Sequence, residues 1–212
     1  MYTHTSESRD LLTPASALEI LVDGNARFCA NLKANRNLLQ QVNETSEGQW
    51  PFAVVLSCID SRTSAELIFD QGLGDVFSVR IAGNFLNNDI LGSMEFGCHV
   101  AGAKLILVLG HSHCGAIMGA CDGVELGHLT GMLQKIRPAM DSVKSPEDPA
   151  ERCSANAGFV DAVAHENVLR GVHGIVEQSD VLRKMRDAGS IDVVGGMYDT
   201  TTGEVTFSRD LA

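Results

Sequence analysis

The sequence predicts an α/β fold, a mostly parallel central β-sheet flanked by helices, with an N-terminal helical arm and a C-terminal strand pair. Two short apolar runs carry that prediction, Phe52-Ala53-Val54-Val55-Leu56 and Lys104-Leu105-Ile106-Leu107-Val108-Leu109-Gly110. Both are rich in β-branched and aliphatic residues and read as buried strands. Stretches of helical period alternate with the strands, the signature of parallel pairing through helical crossovers. At 212 residues the chain has room for a real core, and one domain is expected over 1–212. Its parts are a helical arm (1–48), a core carrying the reactive strand ends (49–140) and C-terminal helices and strands (154–212).

Taken in order, the first expected element is a helix capped by Thr13 with Pro14 in its first turn. Leu18, Leu21, Val22, Phe28, Cys29 and Leu32 recur at helical spacing along it. The stretch 35–49 is polar and turn-rich. After the strand at 52–57 comes a helix through Ala65-Glu66-Leu67-Ile68-Phe69, which Gly72 and Gly74 end. Val76-Phe77-Ser78-Val79-Arg80 alternates as a second strand. Leu91, Met94, Cys98 and Ala101 share one face of a helix over 91–102, and the strand at 104–110 follows. A helix opens near Cys114, and 128–140 reads as helical up to Pro138. The stretch 141–152 holds two prolines and reads as an exposed connection. A long amphipathic helix is expected over 156–176, then a shorter one through Val181, Leu182 and Met185. Two strands, 191–194 and 204–207, close the chain around a turn at Thr200-Thr201-Thr202-Gly203.

Composition excludes several roles. A formal net charge of -11 lacks the basic footprint that DNA, RNA or an anionic membrane requires. No apolar run reaches the roughly 20 residues of a membrane span. The residues Met1 to Asp10 have no apolar segment of secretory type, so a cytoplasmic home is expected. In that setting the six cysteines read as buried thiols and metal ligands rather than disulfides.

Chemistry is concentrated at two strand ends. The first strand delivers Cys58-Ile59-Asp60-Ser61-Arg62, and the other delivers His111-Ser112-His113-Cys114-Gly115. Zinc favours tetrahedral sites of thiolate and imidazole, and three protein ligands with an open fourth position mark a catalytic centre. Cys58, His111 and Cys114 supply such a set, leaving the fourth position to water or to Asp60. Each residue alone has a plainer reading: a core thiol, or an ordinary Asp60–Arg62 surface pair. Their arrival together at two strand ends favours a site.

C-x-D-S-R followed some fifty residues later by H-x-x-C-G resembles the signature of the β-class carbonic anhydrases. Gln49-Trp50-Pro51-Phe52, Gly74-Asp75-Val76-Phe77-Ser78-Val79-Arg80, Ala82-Gly83-Asn84 and Gly92-Ser93-Met94-Glu95-Phe96 extend the likeness. The resemblance implies one zinc ion per subunit on Cys58, His111 and Cys114, with Asp60 and Arg62 as the catalytic dyad and Asp60 as a conditional fourth ligand. It implies that Gln49 bonds substrate from the neighbouring subunit and that Phe77 is an apolar wall. Gly115 falls where a small residue leaves a backbone N–H free near the bound oxygen. Ala82 and Phe96 stand where many relatives have valine and tyrosine in the pocket. Val55 replaces a tryptophan that in some relatives helps hold an inhibitory bicarbonate.

The activity so implied is the reversible hydration of carbon dioxide to bicarbonate and a proton by a hydroxide held on zinc, in a homodimer or a dimer of dimers. Two alternatives stand beside it. One is hydrolysis of carbonyl sulfide or carbon disulfide on the same scaffold. The other is a non-catalytic zinc protein, against which the intact Arg62 argues.

Overall fold

The structure, a computed structural model, describes residues 3–208, so residues 1–2 of the arm and 209–212 of the C-terminal segment lie outside the described residues. Five strands form one sheet: β1 (Ala53–Ser57), β2 (Val76–Arg80), β3 (Leu105–His111), β4 (Asp192–Tyr198) and β5 (Val205–Ser208). Their spatial order is β2-β1-β3-β4-β5. The first four strands run parallel, and β5 returns antiparallel to β4.

Strand periodicity sends alternate side chains to opposite faces. Val54, Leu56, Ile106, Val108 and Val193 face one way, beneath α5 (Asn88–Glu95), α9 (Ala157–Gln178) and α10 (Asp180–Asp187). Ala53, Val55, Leu105, Leu107, Leu109 and Val194 face the other, beneath α2 (Pro14–Cys29) and α4 (Ala65–Ile68). Every residue of β1 and β3 is buried, which is why those runs show no polar alternation. Each such valine, leucine or isoleucine contributes about 1.5–3 kcal/mol by leaving water.

The arm is helical, as expected. Thr13 caps α2 by accepting the Ser16 N–H at 3.2 Å, and Ala17, Leu18 and Leu21 pack on the sheet. Val22, Cys29 and Leu32, expected on the same stripe, are exposed. Short α1 (Ser6–Asp10) precedes α2. Asp70 ties the arm to the core: its carboxylate accepts Arg27 Nε at 2.6 Å, an Arg36 N–H and the Ala34 backbone N–H.

Three local expectations are corrected. The polar stretch 35–49 contains a helix, α3 (Leu38–Glu44), capped by Asn37 and held by Gln41, whose side chain accepts the Leu73 N–H at 3.2 Å. Its Leu38, Leu39 and Val42 are exposed, so no inward stripe announced it. Over 128–140 there are two helices, α7 (Gly127–Leu133) and α8 (Arg137–Ser142), and Pro138 sits in the first turn of α8. There its missing N–H costs nothing, so it begins a helix rather than ending one. The helix expected over 91–102 starts earlier, at Asn88 under an Asn87 cap, and widens into a π turn at Phe96–Val100. Among the described residues no helix is long and apolar enough to cross a membrane.

Topology fixes where a site can form. From β1 the chain moves to β2 on one side, then crosses back to β3 on the other side of β1. Such a reversal opens a crevice at the carboxyl ends of the two adjacent parallel strands. Cys58 leaves β1 at that edge, and His111 ends β3 there.

Candidate metal centre and active site

Cys58, His111 and Cys114 are all buried, and one donor atom from each lies within 4.8 Å of the others. The two sulfurs are 4.0 Å apart, far beyond the roughly 2.0 Å of a disulfide. Two thiolates on one tetrahedral zinc, at about 2.3 Å each, stand about 3.8 Å apart, close to this separation. The His111 Nδ1–H donates to the Ser112 carbonyl at 2.9 Å, which turns the Nε2 lone pair inward. That Nε2 is buried and has no hydrogen-bond partner among the described residues. An orphaned imidazole nitrogen facing two sulfurs fits a thiophilic cation such as zinc. The sulfurs point the same way: the hydrogen bond from Cys114 draws the Cys58 thiol well below its ordinary value, while the same bond and burial push Cys114 up. Ionising both at once requires a cation between them.

Asp60 is turned to Arg62. Arg62 Nε and Nη2 donate to its two oxygens at 2.9 and 2.8 Å, and the Arg62 backbone N–H donates at 2.9 Å. This fork holds the Asp60 carboxyl far below the usual carboxylate range, against the opposing effect of burial. The pair faces solvent, with side-chain exposures of 18% for Asp60 and 50% for Arg62. Asp60 is outside the three-donor cluster.

Several supports of this turn lie outside the two motifs. Arg80, the last residue of β2, donates to the carbonyls of Cys58 at 2.9 Å and Asp60 at 2.6 Å. Thr63 donates to the same two carbonyls. The Gly83 N–H points at Cys58 Sγ at 3.4 Å, and its carbonyl accepts from buried Asn167 at 2.9 Å. Gly83 has φ +79, and a Cβ there would meet Ile136 at 2.6 Å, so the position requires glycine. On the histidine side, the Ser112 N–H donates to the Tyr198 carbonyl, and its hydroxyl meets Thr200 at 3.0 Å. The one signal available was that Arg80 closes a strand at the same carboxyl edge.

Of the remaining expected residues, Ala82 lies in the turn beside Gly83 and is half-buried. Gly115 opens α6 (Gly115–Cys121) directly after Cys114, with open space where a side chain would stand. Gln49, Phe77 and Phe96 are not brought to this cluster. Gln49 is exposed ahead of β1, whereas Cys58 follows that strand, which puts roughly 15 Å or more between them. Phe77 pairs with Val54 near the start of β1, on the edge strand. It meets Phe96 edge-on, with ring centroids 6.2 Å apart, along an open cleft of about 660 Å³. His113 is exposed at φ 55, and His128 is exposed in the first turn of α7. Glu95 accepts the Ser179 hydroxyl at 2.6 Å, a structural bond at the start of α10.

The fold and this cluster define a class: an α/β protein whose parallel sheet carries, at its switch point, a Cys-His-Cys group able to hold a metal ion. Residues 53–205 match the family model described as carbonic anhydrase. A carbonic anhydrase of Mycolicibacterium smegmatis is 35% identical over 202 residues, covering 93% of this chain and 95% of that protein. Carbonic anhydrase 2 of Mycobacterium tuberculosis is 33% identical, covering 90% of each. A β-carbonic anhydrase structure from Aspergillus fumigatus superposes with a TM-score of 0.71 at 25% identity, over 93% of this chain and 91% of that one. A structure from a report of two tetrameric β-carbonic anhydrases of Sordaria macrospora shares the fold, with TM-score 0.69 at 23% identity, over 92% of this chain and 98% of that one. The chain belongs to the β-class carbonic anhydrase family and is a carbonic anhydrase.

Proposed function

We propose that the chain catalyses the reversible hydration of carbon dioxide to bicarbonate and a proton, with Cys58, His111 and Cys114 holding one zinc ion per subunit. The observation that carries this reading is the buried Cys-His-Cys set with its unpartnered His111 Nε2, beside an Asp60 already bonded to Arg62. When bound, the ion supplies the positive charge that acidifies a water molecule.

The chain's own residues do the rest. Asp60, kept ionised and turned aside by Arg62, accepts a hydrogen bond from the attacking oxygen's O–H and aims its lone pair at the substrate carbon. Arg62 therefore decides whether the fourth ligand position stays open, because an Asp60 released from it could swing inward. Two thiolates offset the ion's formal charge, so water is acidified less than in the well-known three-histidine carbonic anhydrases, and turnover rises toward alkaline pH. Ala82 flanks the substrate near Cys58, and Gly115 leaves its backbone N–H free.

In the same reading Gln49, Phe77 and Phe96 serve the site of a neighbouring subunit, in a homodimer or dimer of dimers. The exposure of Gln49 and Phe96 supports this, with Phe77, half-buried against the core, beside Phe96. The six free thiols support a reducing, cytoplasmic setting. The test is stopped-flow hydration of carbon dioxide across pH, with zinc measured on the same sample. About one zinc per chain and a rate climbing with pH are expected. A zinc-loaded protein that does not hydrate carbon dioxide would overturn the proposal.

A further inference from the structure

A second polar cleft adjoins Gly83, whose carbonyl accepts from the cleft residue Asn167. Along α9, Asn167, Arg170, Gly171 and Gln178 fall on adjoining turns of one face. With Lys135 and Pro138 from the α7–α8 region, and Phe85 and Leu86 from the turn after β2, they line a cleft of about 140 Å³. No acidic side chain lines it. Among the described residues neither Lys135 nor Arg170 has an ion pair, and the nearest polar contact of Arg170 is the Ser142 hydroxyl at 3.5 Å. In a chain of net charge -11, two cations converging on one concavity without a carboxylate form a local reversal of sign.

We propose that this cleft binds a small oxyanion that carries its own proton, of the hydrogen phosphate or bicarbonate type. Lys135 and Arg170 supply the charge, and Arg170 also offers a planar fork suited to an oxyanion. Asn167 supplies the selectivity. It is buried, and one N–H of its amide is committed to the Gly83 carbonyl at 2.9 Å. Its carbonyl oxygen has no hydrogen-bond donor among the described residues, so it can accept the O–H of a protonated anion and repels one without a proton. The volume admits an ion of this size but no nucleotide.

The cleft also adjoins the metal cluster. Gly83, whose carbonyl accepts from Asn167, donates its N–H to Cys58 Sγ, and Ile136, next to Lys135, packs against the same glycine. An anion drawing on Lys135 and Asn167 therefore acts through Gly83 on a proposed zinc ligand. The binding proposal stands apart from the reaction assigned above and does not need it.

The test is calorimetric titration of inorganic phosphate, and separately of bicarbonate, into the zinc-loaded protein at fixed ionic strength. The wild type is compared with a Lys135→Gln/Arg170→Gln double variant. Anions that bind at the metal centre give the same signal in both proteins, so the difference isolates the cleft. At least one of the two anions is expected to bind about tenfold or more weakly to the variant, given the strength of charge-assisted bonds. Arsenate, a protonated analogue with anomalous scattering, should appear in the cleft of wild-type crystals and not in the variant. Loss of phosphate binding alone, or of bicarbonate alone, identifies which anion the cleft takes. Identical isotherms for both anions in the two proteins would refute the site. Sulfate, unprotonated at neutral pH, binding as tightly as phosphate would refute the role given to Asn167.

Discussion

The carboxyl and amino edges of the sheet are built in opposite ways. At the carboxyl edge, three donors are buried, and Arg80, Thr63, Gly83 and Ser112 hold the turns that present them. On the amino side and the flank of the edge strand β2, Gln49 is exposed and Phe96 is 56% exposed, with Phe77 beside it. One edge gathers its metal donors within the chain and braces them with hydrogen bonds. The other offers apolar and amide groups outward, as a surface does when its partner is another chain. The contrast teaches that the metal donors are gathered within one chain, whereas the groups proposed to reach substrate from a neighbour stand on a different part of its surface.

The largest effect should come from breaking the carboxyl edge itself. Cys114→Ser removes one of three proposed ligands, and zinc content should fall to a small fraction of one per chain, with hydration dropping on the order of 10³-fold. Metal analysis with stopped-flow rates checks this, and full zinc occupancy in the variant would contradict the ligand assignment. Next is Arg62→Ala, which leaves the ligands intact but frees Asp60. Turnover should fall roughly 10²- to 10³-fold while zinc stays bound, and a variant as active as wild type would remove Asp60 and Arg62 from the mechanism.

The contrast sharpens with a mixing experiment. Gln49→Ala alone should lower kcat/KM about tenfold without changing zinc content. If Gln49 acts across a dimer interface, refolding it with Arg62→Ala chains creates hybrids in which one site has every group. Statistical pairing then returns roughly a quarter of wild-type turnover. Activity no higher than the sum of the separate variants would place Gln49 outside the neighbour's site.

The smallest effect on catalysis, and a clear one on stability, is expected at Asp70, in the connection between α4 and β2. Burial opposes its charge, yet the bonds from Arg27, Ala34 and Arg36 hold the carboxyl below its ordinary value. Asp70→Asn should cost about 3 kcal/mol near neutral pH with turnover unchanged, because it strips a buried partner from two arginines. A depressed folded-state value means that this stabilisation is fully present above the unfolded value of about 3.9 and is lost as pH falls through the folded one. The gap between wild type and variant in urea midpoints should therefore close below about pH 4. A gap that persists unchanged at pH 3 would show that Asp70 acts through packing rather than charge.

Much of the sheet was legible because its strands are buried on both faces. Val54-Val55-Leu56 and Leu105 to Leu109 have no polar interruptions, so their strand character needs no tertiary information. The helix over Leu38–Glu44 was not legible, since its apolar residues point outward and the segment is held by single bonds from Asn37 and Gln41. Pro138 misled for a related reason: a proline ends a helix or starts one, and only its neighbours' backbone decides which.

The same division holds for the site. By itself the sequence determined which side chains could bind metal, because C-x-D-S-R and H-x-x-C-G name their donors and sit at the ends of recognisable strands. It also determined that Asp60 and Arg62 could pair, since two residues of separation suffice. The tertiary structure alone decided that the two motifs converge, through the reversal that sets β1 beside β3. It alone turned His111 Nε2 inward by bonding Nδ1 to a carbonyl, and it placed Gln49, Phe77 and Phe96 away from their own chain's cluster. The physical reason is that donor chemistry resides in a single side chain, whereas convergence and facing are properties of strand order and register, which depend on contacts far apart in the chain.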